Sequence, residues 1–147
     1  MDRYDIRVPK RAGAILVVDD DASVRDAMAE MLSTLGYATD TAENGREALA
    51  RIERRRPTVI LLDLKMPVMD GWQLLRELRA ERATARIPVL ILSAFGFEWE
   101  AELIAAQGYL HKPTDFETIR DTIRVYAGPP PARAGTRTRA KTRSRRT

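Results

Sequence analysis

Cysteine is absent from this chain of 147 residues, and histidine occurs once, at position 111. The first absence removes disulfides, thiolate metal sites and cysteine nucleophiles. The second leaves no histidine metal cluster and no easy route to a Ser-His-Asp hydrolase, and His111, two residues after Tyr109, reads as one face of a short strand. Any metal must therefore be held by oxygen. No apolar run reaches the roughly 18 to 20 residues needed to span a bilayer, and the opening MDRYDIRVPKRAG lacks the apolar stretch of a secretory signal. A cytoplasmic location without membrane association is the expectation. A glycine-rich phosphate loop is missing too, because acids follow Val18 where a nucleotide-binding turn would need glycines.

What is present, 44% hydrophobic and 31% charged residues, suits one soluble domain with one core. The net charge of +4 hides a division, since residues 128 to 147 hold seven Lys or Arg and no acid, leaving the preceding residues net acidic. Three short apolar runs end on a polar residue: Ala14 to Asp19, Thr58 to Asp63 and Ile87 to Ser93. Such runs are the pattern of strands buried on both faces of a parallel sheet.

Helical periods lie between them. Ala22 to Leu35 places Val24, Ala27, Met28, Met31, Leu32 and Leu35 on one face, and Gly36 ends the helix. Tyr37 to Thr41 reads as an edge strand, and Asn44 to Arg55 carries the stripe Ala48, Leu49 and Ile52 ahead of Pro57. Gly71 to Ala80 carries Trp72, Leu74, Leu75 and Leu78, with Trp72 expected in the core; Trp99 is the better surface candidate. Glu98 to Gln107 predicts a further helix, Tyr109 to His111 a very short strand, and Asp115 to Ala127 a final helix capped by Asp115 or Thr114.

Strands alternating with helices imply right-handed crossovers and an α/β fold: a flavodoxin-like (βα)5 doubly wound parallel five-stranded sheet, order 2-1-3-4-5. Residues 1–13 are expected to be a loose lead-in, 14–127 the domain, and 128–147 a disordered basic tail without apolar residues to form a core. In such sheets ligands gather outside the carboxyl ends of the strands at the switch point. Asp19, Asp20, Asp63, Ser93 and Lys112 all fall at or just beyond such ends, so they can meet in one crevice.

Crowded carboxylates repel one another, and a divalent cation relieves the repulsion. Mg²⁺ suits an open site of a few carboxylate oxygens, waters and a phosphate. Asp19-Asp20-Asp21 can equally be a helix N-cap, with Asp21 or Ser23 in that role. With an ion bound, Asp63 can attack phosphorus as a nucleophile, while the Lys112 ammonium and the Ser93 hydroxyl take charge on the phosphoryl oxygens. Pro113 restricts the backbone of Lys112 and so fixes its direction. Read singly, Ser93 is also an ordinary strand-end hydroxyl and Lys112 an ordinary solvated lysine.

The blocks VVDDD at 17 to 21, LLDLKMPVMDG at 61 to 71, LS at 92 to 93 and YLHKP at 109 to 113 stand in an order that resembles the response-regulator receiver domain over residues 14 to 127. The resemblance implies that Asp19 and Asp20 are metal-binding acids and Asp63 the phosphoacceptor. It also implies Ser93 as switch hydroxyl, Lys112 as phosphate-contacting lysine before a cis-prone proline, and Tyr109 as aromatic switch residue. The Lys65 carbonyl would be a further metal ligand, with Met66, Pro67 and Gly71 shaping the rim. The implied function is a stand-alone receiver in a two-component phosphorelay, phosphorylated by a histidine kinase or histidine phosphotransfer protein and acting through a changed surface on a downstream protein. It would lose its own phosphate by hydrolysis and would not be an enzyme for outside substrates.

Tyr109 is equally readable as a half-buried strand residue. The chain departs from the family between Ser93 and Lys112, a spacing shorter than is common in receivers, with Ala105-Ala106-Gln107-Gly108 before the aromatic. The helix there should be short or displaced, and Phe95, Phe97 and Trp99 form either a docking surface or a loop folded onto the core. Two other classes remain. One is a regulator in which the receiver gates nucleic-acid contacts by the Arg-rich 133–147 tail, which lacks interleaved aromatics. The other is a Mg²⁺-dependent phosphohydrolase, for which no cap domain or substrate loop is legible.

Overall fold

The computed structural model describes residues 14–64, 68–93, 108–111 and 115–130, with the backbone alone at Ser93, Tyr109 and His111. In chain order the elements are β1 (Ile15–Val18), α1 (Ala22–Thr34), β2 (Thr39–Ala42), α2 (Gly45–Arg54), β3 (Val59–Leu62), α3 (Gly71–Ala80), β4 (Val89–Ser93), β5 (Gly108–His111) and α4 (Phe116–Ala127). The strands are parallel and lie in the order β2-β1-β3-β4-β5. The helix expected over Glu98 to Gln107 and the aromatics Phe95, Phe97 and Trp99 lie outside the described residues.

Alternation along the strands explains why the runs are apolar throughout. Leu16, Val18, Ile60, Leu62, Val89 and Ile91 face one way, onto Ala48 and Ile52 of α2 and Leu74, Leu75 and Leu78 of α3. Ile15, Val17, Val59, Leu61 and Leu90 face the other, onto Leu32 of α1 and Ile119 and Ile123 of α4. The sheet is thus covered on both sides, the condition under which a parallel sheet needs apolar residues at every position. Each fully buried Leu or Ile contributes about 1.5–3 kcal/mol. Trp72 is partly buried against the first cluster, as its place on the α3 stripe predicts.

Two expectations shift. Ala27 is exposed, while Leu32 is the buried residue of α1 and Met28, Met31 and Leu35 are partly buried. Ala27 sits at the margin of the apolar arc, and a methyl is too short to reach the sheet from there. The edge strand begins at Thr39 rather than Tyr37. Gly36, at φ 105°, closes α1 in the left-handed conformation that only glycine takes freely, and Tyr37 N–H bonds back to the Leu32 carbonyl at 3.0 Å. That turn drops the Tyr37 ring into the core, at 5% exposure, and its hydroxyl donates to the Gly128 carbonyl at 2.6 Å.

The helix starts are set by side-chain caps. Asn44 accepts from Glu47 N–H at 2.8 Å, Asp70 forms a reciprocal capping box with Gln73, and Asp115, one of the two residues expected to cap the last helix, accepts from Thr118 N–H at 2.7 Å. Among the described residues no helix is long and apolar enough to cross a membrane.

Two substitutions probe this frame. Tyr37→Phe should cost about 0.5–1.5 kcal/mol in urea denaturation at neutral pH, the net worth of one hydrogen bond. Burial pushes the Tyr37 hydroxyl above its ordinary value of 10.0, with Arg124 pulling weakly the other way. Its contribution is therefore complete below that value and is lost as pH rises through the folded one, so the gap between wild type and Tyr37→Phe should narrow at strongly alkaline pH. Gly71→Ala should destabilise by about 1–3 kcal/mol, because a Cβ there would stand 2.5 Å from the Asp63 carbonyl oxygen and 2.8 Å from Leu64 Cα, both backbone. A Gly71→Ala protein with an unchanged urea midpoint would show that the turn has slack.

Candidate metal and phosphoacceptor site

Register brings the acids together. Val18 pairs with Leu62, so the next residues, Asp19 and Asp63, leave adjacent parallel strands at one level. Asp63 N–H bonds to the Val18 carbonyl at 2.9 Å and Asp19 N–H to the Ala42 carbonyl at 3.1 Å, which fixes both backbones to the sheet edge. The neighbouring connections leave in opposite directions along the sheet, with β2 on one side of β1 and β3 on the other, which makes this the switch point. Carboxylate oxygens of Asp19, Asp20 and Asp63 lie within 4.8 Å of one another.

The three consecutive acids divide their work. Asp21 is the N-cap of α1: its Oδ1 accepts from Ser23 N–H at 3.0 Å, Val24 N–H at 3.3 Å and the Ser23 hydroxyl at 2.8 Å. Capping therefore does not account for Asp19 or Asp20. Asp19 is buried, at 3% exposure, with Oδ1 accepting from Asp21 N–H at 2.9 Å, whereas Asp20 is exposed. The cluster thus combines a buried oxygen donor from Asp19 with an exposed one from Asp20.

All the donors are oxygen, and their spacing tests the fit of a hard cation. Oxygens bound to one ion at about 2.0–2.1 Å stand roughly 3 to 4 Å apart. A spread of 4.8 Å is met when some carboxylates bind directly and others through water, the habit of an ion that keeps part of its hydration shell. Asp19, Asp20 and Asp63 fit such an ion.

Ser93 closes β4 opposite His111 of β5, so both backbones reach the same edge of the sheet. The side chains of Ser93, Tyr109 and His111, and all of Lys65, Met66, Pro67 and Lys112, lie outside the described residues. Three contributors were not singled out from the sequence. Arg25, one turn into α1, donates to the Asp19 carbonyl at 2.8 Å. Gly45 N–H bonds to the Met69 carbonyl at 2.9 Å, and a Cβ on Gly45 would come within 2.6 Å of Met69 Cγ, so α2 begins pressed against the loop after Asp63. Val68 in that loop has φ 70°, an outlying conformation for a β-branched residue, and is 69% exposed. The Asn-Gly pair at 44 and 45 was the legible signal for the second; the other two depend on tertiary placement.

Comparison with known proteins gives this geometry a context. Residues 15–124 match the family model described as the response regulator receiver domain. The chain is 35% identical over 115 residues to sporulation initiation phosphotransferase F of Bacillus subtilis (strain 168), covering 76% of this chain and 91% of that protein. It is 41% identical over 114 residues to the response regulator MprA of Mycolicibacterium vanbaalenii, where it spans only 48% of the relative while 76% of this chain is covered. A solved receiver domain of a sensor histidine kinase from Pseudomonas aeruginosa PAO1, with a magnesium ion coordinated in its active site cleft, superposes with a TM-score of 0.72 at 29% identity, covering 80% of this chain and 98% of that one. With the acid cluster at the switch point and the family match over most of its length, the chain belongs to the response regulator receiver domain family of two-component systems.

Proposed function

We propose that this receiver accepts a phosphoryl group on Asp63 from a phosphohistidine of a histidine kinase or histidine phosphotransfer protein, with Mg²⁺ held by Asp19, Asp20, Asp63 and the Lys65 carbonyl. The observation that carries the reading is the meeting of three carboxylates from two adjacent strand ends within 4.8 Å. The bound ion would neutralise their repulsion and draw negative charge from the phosphoryl oxygens.

The rest of the step falls to the chain. An Asp63 oxygen attacks phosphorus as the phosphorus–nitrogen bond to the donor histidine breaks, and the departing imidazole keeps the electron pair and takes up a proton. Asp63 thereby becomes a mixed anhydride. Asp19 and Asp20 hold their positions through the strand and the turn before α1. Lys112 would meet a second phosphoryl oxygen and Ser93 a third, coupling the site to Tyr109 and to the surface beyond β4 and β5.

On this reading residues 14–127 form the functional unit, a (βα)5 receiver of order 2-1-3-4-5 in which residues 94–107 supply the crossover from β4 to β5. Residues 1–13 and 128–147 lie outside its core. Water hydrolyses the anhydride, so the chain is a transient switch rather than an enzyme for outside substrates. The relative named as a phosphotransferase is consistent with a small chain whose task is to hold and pass phosphoryl groups. The downstream target is a protein that meets the switched surface.

Acetyl phosphate with Mg²⁺ should add one phosphoryl mass to the wild type, and Asp63→Asn should lose that addition entirely while staying folded and, without Mg²⁺, melting no lower than the wild type. Undiminished phosphorylation of Asp63→Asn on intact-mass analysis would overturn the assignment. Lys112→Ala should still bind Mg²⁺ but lose the chemical-shift response of residues 93–111 to beryllofluoride. A wild-type response in that variant would remove Lys112 from the coupling.

A further inference from the structure

The acid edge depends on one side chain that is not an acid. Asp19 N–H makes a rung with the Ala42 carbonyl at 3.1 Å. In a parallel ladder the next rung on that side would run from Asn44 N–H to the Asp19 carbonyl. Asn44 has left the sheet by then to cap α2, where its side chain accepts from Glu47 N–H at 2.8 Å. The Asp19 carbonyl is taken instead by the guanidinium of Arg25, whose Nη1 donates to it at 2.8 Å.

Helix geometry puts Arg25 in reach. It stands one turn after the cap Asp21, and its N–H bonds to the Asp21 carbonyl at 2.9 Å. Side chains on a helix lean toward its N-terminus, so that of Arg25 runs back over the turn between β1 and α1. The links close into a ring: Asp21 N–H donates to Asp19 Oδ1 at 2.9 Å, Asp21 opens α1, and Arg25 returns from α1 to the Asp19 carbonyl. Asp20 lies inside this ring, exposed, between two residues that the ring fixes. Among the described residues Arg25 forms no ion pair. A guanidinium beside three acids thus directs its donor to a main-chain carbonyl. The arginines at and after the end of α2, Arg54, Arg55 and Arg56, and those after α3, Arg82 and Arg86, stand at the amino ends of the strands and cannot take this place.

Charge and position give Arg25 opposite effects on the site. By charge alone it would oppose a cation among the acids, because like charges repel. By position it would favour one, because removing a group that holds a metal ligand in place costs about 10- to 100-fold in metal affinity. Position outweighs charge here, since Arg25 is partly exposed and its field is screened by solvent, whereas a ligand that swings away is lost outright.

We propose that Arg25 is a positioning residue of the metal site, fixing the 19–21 turn through the Asp19 carbonyl so that the Asp19 and Asp20 carboxylates stay beside Asp63. This role rests on the Mg²⁺ reading of the site. Breaking the bond leaves a part-buried carbonyl without its donor and frees the turn to rearrange under the mutual repulsion of its acids. Alanine is the best helix former, so Arg25→Ala removes the bond without weakening α1 itself.

The test follows the backbone amide shifts of Asp20 and Asp21 in the full chain as MgCl2 is raised at constant ionic strength, each variant held well below its melting midpoint. Arg25→Ala should bind Mg²⁺ about 10-fold more weakly than the wild type. Arg25→Lys, which keeps the charge and one donor but not the planar fork, should recover part of the loss. Tyr37→Phe, which removes a hydrogen bond at the amino end of the sheet, should bind Mg²⁺ like the wild type.

Equal or tighter Mg²⁺ binding by Arg25→Ala would overturn the proposal, the tighter case showing that the guanidinium acts only as a competing charge. An Arg25→Lys protein no better than Arg25→Ala would overturn it as well. So would a matching loss in Tyr37→Phe, which would trace the effect to stability alone. A wild type with no Mg²⁺-dependent shift would sink the metal reading and this role with it, whereas a wild type that binds beside an unaffected Arg25→Ala removes Arg25 alone.

Discussion

Mutual repulsion among Asp19, Asp20 and Asp63 is the constraint that the rest of the structure answers. At a separation near 4 Å two like charges repel by about 4 kcal/mol at an effective dielectric of 20. Nothing local in the sequence would gather such groups, since Asp63 lies more than forty residues from Asp19. They meet because Val18 and Leu62 are register partners in the middle of a sheet buried on both faces. The two apolar clusters therefore supply the stability against which the acid edge is held. Removing packing from β1 or β3 would loosen the acid edge before any of the three carboxylates was touched.

The rim shows the same economy at closer range. The turn after Asp63 is closed by Gly71 N–H on the Leu64 carbonyl at 3.0 Å, and α3 starts there with almost no room above the Asp63 backbone. Met69 then reaches the first residue of α2 through Gly45. Two glycines thus let three elements approach the acid edge at backbone distance. Val68, held at positive φ between these anchors, is the kind of strained position that survives where surrounding contacts over-determine the chain. A shift at Asp63 has a short mechanical route to α2 through this loop.

Much of this was legible because distinct physical signals agreed. Continuous apolar runs marked β1, β3 and β4, and the acids closing the first two marked the edge where Asp19, Asp20 and Asp63 meet. The edge strand was misplaced because Tyr37 satisfies β propensity as well as Thr39 does, and only the Gly36 turn with the distant Gly128 partner decides that its ring goes inward. Ala27 was misassigned because three- and four-residue spacing selects an arc without saying how far a short side chain reaches. Among the three consecutive acids the sequence offered Asp21, beside Ser23, as the cap, and the hydrogen bonds of Asp21 to the α1 N–H groups single it out.

The two edges of the sheet carry opposite charge, and their separation keeps them from cancelling. β1 has four residues, roughly 13 Å of extended chain. That exceeds the Debye length of about 8 Å at physiological ionic strength, so through solvent the arginines of the amino edge do little to neutralise the acids of the carboxyl edge. The acid edge therefore keeps its own field, which a cation among Asp19, Asp20 and Asp63 would answer.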